Sequence, residues 1–66
     1  MVLKVNGEMR EVPEGLTLSG LLAQMKLETE RVAVEVNAQV VRRALHAEHR
    51  LSAGDQVEIV TFVGGG

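Results

Sequence analysis

Cysteine, tryptophan and tyrosine are all absent from this 66-residue chain, and phenylalanine occurs once, at Phe62. Without cysteine the fold cannot be stapled by disulfides, and the chain has no thiol of its own for sulfur or thioester chemistry. With a single aromatic ring, the core must be aliphatic. The net charge is −2 and the pI about 5.6, whereas nucleic acid usually calls for a basic patch and stacking aromatics. No nucleic-acid partner is therefore expected. No apolar run approaches the roughly 20 residues needed to span a bilayer, so no membrane is expected either. Met1-Val2-Leu3 enters an amphipathic pattern at once, and the expectation is a cytoplasmic chain without a signal peptide.

Hydrophobic residues make up 45% of the chain and no polar low-complexity stretch interrupts them, which argues for a folded unit rather than disorder. At this length it is one domain or a fragment of one. A domain of about 60 residues buries only roughly 60% of the surface of its unfolded chain, so the core is small. There is no room for a deep active-site cleft, and an enzyme is not expected.

Val2–Val5 and Met9–Val12 are two short strand-like runs. Asn6-Gly7 between them is a strong hairpin signal, because a type I′ turn needs positive φ at both central residues. Pro13-Glu14-Gly15 ends the second strand. Thr17 can cap a helix through its hydroxyl. Leu18, Leu21, Leu22 and Met25 follow at i, i+3, i+4 and i+7, one apolar helical stripe. Gly20 within it either allows close packing on a sheet or is merely tolerated. Glu28–Arg31 is a polar connection. Val32, Val34 and Val36 alternate with Ala33, Glu35 and Asn37, a third strand with one buried face. Asn37-Ala38-Gln39 turns into a short strand at Val40-Val41. Residues 42–50 read as an irregular loop with one helical turn anchored by Leu45. Leu51 should pack inward, Ser52–Asp55 should turn, and 56–63 should form the last strand. The order points to an α+β layer arrangement, a mixed sheet with one helix on one face. The last strand is expected beside the first and parallel to it.

That strand runs into Gly64-Gly65-Gly66, expected as a flexible tail (64–66) on a folded domain (1–63). Glycines have no side chains, so such a tail can lie extended in a narrow channel of another protein, with a bare carboxylate at its tip. A carboxylate is a poor acyl electrophile until a partner activates it, for which ATP can supply a mixed anhydride with AMP. A flexible end without function is the other reading.

The segments Val34-Glu35-Val36-Asn37, Gln39-Val40-Val41-Arg42 and Leu51–Val60, with the closing glycines, resemble the ThiS family of sulfur carriers. Val5-Asn6-Gly7-Glu8 and the Leu18/Leu21/Leu22 helix fit the same pattern. The resemblance implies a β-grasp (ubiquitin-like) fold with a mixed sheet of four to five strands and one helix across it. It also implies a carrier that catalyses nothing and binds no cofactor or metal. A ThiF-type adenylating enzyme would use ATP and Mg²⁺ to make a glycyl adenylate on Gly66. A persulfide donor would then lead to a thiocarboxylate, and a ThiG-type thiazole synthase would take the sulfur into the thiazole ring of thiamine. Gly64, Gly65, Val60 and Phe62 would meet the partner, and the free carrier would be a monomer. The family often has proline at the position of Val41 and a tryptophan near Leu45. Related readings are a carrier for molybdopterin (the MoaD type) or for tRNA thiolation, a ubiquitin-like protein modifier, and a plain interaction module.

His46 and His49 form an H-x-x-H pair, but structural zinc wants four ligands and no cysteine is at hand. The pair is expected exposed. Glu35 should point outward. Arg42-Arg43 are either solvated charges or a steering patch for an acidic partner. Val57 and Ile59 should enter the core, with Glu58, Val60 and Phe62 on the opposite face. Val60 and Phe62 then form an apolar docking patch or lie covered by loop residues.

Overall fold

The computed structural model describes residues 1–62. Five strands form one sheet: β1 (Val2–Val5), β2 (Glu8–Glu11), β3 (Val32–Val36), β4 (Gln39–Val41) and β5 (Gln56–Thr61). The spatial order is β2-β1-β5-β3-β4. The central pair β1 and β5 is parallel, as expected, and every other pair is antiparallel. One helix, α1 (Leu18–Gln24), supplies the second layer. Short 3₁₀ turns at Thr29–Arg31 and Arg43–Leu45 complete the connections.

Local chemistry explains the elements. Asn6 and Gly7 both adopt positive φ, as the first hairpin turn requires. Thr17 caps α1: its Oγ1 accepts from the Gly20 amide at 3.1 Å. The Leu18 and Ser19 amides donate to the carbonyls of His49 and His46, so the loop before Leu51 completes the helix start. At the other end, Lys26 takes φ 60. The Leu27 amide returns to the Leu22 carbonyl and the Lys26 amide to the Ala23 carbonyl. This is a Schellman motif with lysine at the position glycine usually holds.

The core lies between α1 and the inner face of the sheet. Leu18, Leu21 and Leu22 meet Leu3, Val5, Val34, Val57 and Ile59, with Val12 and Leu51 closing the ends. Met25 is only half-buried and packs at the margin. Gly20 does not face the sheet. A Cβ there would come within 2.6 Å of Leu16 Cδ1, so the glycine makes room for a leucine folded over the helix start.

Several boundaries differ from the sequence reading. The second strand is Glu8–Glu11, although Val12 beyond it is still buried. The fourth starts at Gln39, after a turn in which Asn37 and Ala38 both have positive φ. The last ends at Thr61, and Val63 lies outside the described residues.

The largest correction concerns residues 42–50. Leu45 does not anchor them: it is 43% exposed. The anchor is His46, 2% exposed. Its Nε2 faces the Val41 carbonyl at 3.0 Å and its Nδ1 the Thr29 hydroxyl. A carbonyl only accepts, so in the neutral ring Nε2–H donates to Val41 and Nδ1 accepts from Thr29. His46 is thus a satisfied core histidine and not half of an exposed pair.

Candidate functional site

The strand that leads to the terminal glycines is held along its length. The ladder between β1 and β5 ends at Val5 and Val57. Beyond it the Asn6 side chain takes over. Its Oδ1 accepts from the Ile59 amide at 2.7 Å, and its Nδ2 donates to the Ile59 carbonyl at 3.2 Å. The same asparagine that turns the first hairpin therefore extends the sheet with its side-chain amide. Asn37, in the second hairpin turn, acts likewise at the start of β5. Its Oδ1 accepts from the Gln56 amide and its Nδ2 donates to Asp55, both at 3.0 Å. At the far end the Phe62 amide donates to the Arg31 carbonyl at 2.8 Å. The chain is aimed by backbone and amide bonds up to Phe62.

Among the described residues only the inner face of the sheet carries a helix. On the outer face, pleat and register put Ala33 beside Val60, and Glu35 between Glu58 and Val40. Val40, Val60 and Phe62 are 71%, 61% and 59% exposed. Among the described residues no loop covers Val60 or Phe62. Two shallow depressions adjoin here. One of about 250 Å³ is lined by Ala33, Val34, Glu35, Val40, Glu58 and Val60. The other, of about 240 Å³, includes Val40, Arg42, Arg43 and Phe62. Neither reaches the roughly 300–1,000 Å³ of small-molecule sites.

Of the residues singled out beforehand, Val60 and Phe62 come together on this face, with Glu35 and Glu58 beside them. Gly64, Gly65 and Gly66, and with them the boundary between domain and tail, lie outside the described residues. The His46 ring nitrogens face Val41 and Thr29, and no group of three potential metal ligands exists among the described residues. Val40 was missed as a member of the face. The register of β4 against β3 supplies it, and its pairing with Val41 in an alternating strand was the available signal.

A sheet of this order, with one helix on one face and the last strand parallel to the first at its centre, defines a β-grasp domain. Comparison with known proteins agrees. The crystal structure of the thiamine biosynthesis protein (ThiS) from Geobacter metallireducens superposes with a TM-score of 0.84 over the whole of both chains, at 38% identity. The sulfur carrier protein ThiS of Bacillus subtilis is 36% identical, over 98% of this chain and 100% of its own length. A thiazole synthase from Magnetococcus marinus is 42% identical over the full chain, which spans 20% of that protein. The ThiS family model matches residues 3–66. The chain belongs to the ThiS family.

Proposed function

We propose that this protein carries sulfur for thiazole formation on the carboxyl group of Gly66, with Gly64 and Gly65 as the slender lead into its partners. The observation that carries the reading is the family match, which continues through the terminal glycines. Full-length correspondence with the Bacillus carrier supports it.

The chemistry follows from a carboxylate that must be activated. A Gly66 carboxylate oxygen attacks the α-phosphorus of ATP on a ThiF-type adenylating enzyme, with pyrophosphate leaving. The Mg²⁺ belongs to that enzyme. The terminal sulfur of a persulfide donor then attacks the glycyl carbonyl and expels AMP. A thiol cleaves the resulting acyl disulfide, forming its own disulfide and releasing the thiocarboxylate. The absence of cysteine fits this route, since the cargo then sits on the terminal carbonyl alone. Two relatives named thiazole synthase include a segment matching this whole chain, about a fifth of each protein. That supports a ThiG-type thiazole synthase as the sulfur acceptor.

Val60 and Phe62 form the docking patch, with Val40 continuing it. Their exposure on a sheet face just ahead of the glycines supports that role. We place the protein in the cytoplasm as a free monomer. No helix among the described residues is long and apolar enough to cross a membrane.

The test is intact-protein mass spectrometry after incubation with the adenylating enzyme, ATP and a persulfide donor. The expected result is a gain equal to the difference between sulfur and oxygen, mapped to Gly66. Deleting Gly66 should abolish it with the melting temperature nearly unchanged. A branched conjugate to lysine would instead mark a protein modifier.

A further inference from the structure

We propose that the docking face is charge-polarised, and that Glu35 with Glu58 on one side and Arg42 with Arg43 on the other orient the adenylating enzyme upon it. The inference rests on the sulfur-carrier reading above.

Glu35 and Glu58 are register partners on the antiparallel strands β3 and β5. Such residues have Cβ atoms about 4.5–5.5 Å apart, and like charges there oppose pairing. Among the described residues the one ion pair is Arg31 with Glu28, so neither carboxylate has a cationic partner there. The free sheet tolerates an unfavourable pair at the centre of its bare face.

The depression around that pair indicates what it suits. Its walls are Ala33, Val40 and Val60, and its polar groups are the two glutamates. An arginine or lysine offers the matching shape, an aliphatic stem for the valines and a cation for the carboxylates. The adjoining depression shares Ala33, Val34 and Val40 but is edged by Arg42 and Arg43, with Glu30 beside them. Across the apolar strip the sign of the charge therefore changes. A complementary partner places a cationic side chain over Glu35 and Glu58 and an acidic one over Arg42 and Arg43.

Orientation matters because the reach is short. Gly66 lies four residues beyond Phe62, at most about 14 Å of extended chain. An apolar patch alone permits many rotations, and most would aim the terminus away from the nucleotide. Opposed charges select the productive rotation and speed encounter.

The test measures binding of the full-length carrier to the ThiF-type adenylating enzyme of the same organism at low and high salt. The double variants Glu35→Lys/Glu58→Lys and Arg42→Glu/Arg43→Glu are compared with wild type, with melting temperatures taken in parallel. Each reversal should lower affinity about tenfold, chiefly through the association rate, and flatten its salt dependence. Glu58→Gln should lose less. The glutamate reversal should not lower the melting temperature. Folded reversals that bind as wild type does, while wild type is still thiocarboxylated, overturn the orientation alone. Wild type that is neither bound nor thiocarboxylated overturns the carrier reading as well. Wild type that dimerises, with both reversals dissociating it, gives the face to a second copy and overturns the proposal.

Discussion

The inner and outer faces of this sheet are built from the same strands, yet they answer to different requirements. On the inner face every central position is aliphatic and buried: Leu3, Val5, Val34, Val57 and Ile59 under Leu18, Leu21 and Leu22. On the outer face the alternate residues of those strands are Glu35, Glu58, Val60 and Ala33, open to solvent. The inner face is explained by folding alone. The outer face is not, because a solvated sheet face ordinarily carries polar residues, and here Val40, Val60 and Phe62 interrupt them. The docking role proposed above would account for what folding does not require on that face.

That contrast can be broken from either side. Leu22→Ala should have the largest effect. Truncating a buried leucine costs about 2–5 kcal/mol, against a total of about 3–10 kcal/mol for a domain this size. Urea unfolding followed by circular dichroism should show a protein near its folding threshold. Phe62→Asp, on the other face, should change stability by no more than about 0.5 kcal/mol. It should weaken binding to the adenylating enzyme roughly tenfold, readable by calorimetry. Unchanged affinity in that variant would remove Phe62 from the docking patch.

Two smaller effects sharpen the comparison by probing what aims β5. Asn6→Gly keeps the backbone of the turn but deletes both bonds to Ile59, and should cost about 1–2 kcal/mol. Asn6→Ala should cost about 1 kcal/mol more, because alanine resists positive φ. Equal losses in the two variants would show that the side-chain clasp alone matters. Lys26→Gly should raise stability by up to about 1 kcal/mol by relieving a left-handed lysine at the helix end. It should leave partner binding unaltered, since it touches neither face.

Much of this was legible locally. The alternation of Val32, Val34 and Val36 named the strand and its buried side. Asn6-Gly7 named the turn, and Thr17 with the leucine spacing named the helix. The misses share a cause. His46 sits in a polar run without periodicity, and the groups that satisfy its ring are Thr29 and the Val41 carbonyl, brought together only by folding. Asn6 bonds to Ile59 across 53 positions, and nothing near Asn6 announces it. Ala38 at positive φ defied its residue type because an antiparallel strand pair on either side holds the turn.

Periodicity and turn chemistry act over a few residues, so the chain already declares its strands, its helix, its aliphatic core and its glycine ending. Register acts between segments far apart in the chain. It is register that sets Glu35 against Glu58, Ala33 against Val60, and two asparagine amides against the backbone of β5. The composition of the outer face, and the direction in which the chain leaves it, came into being only when those segments paired.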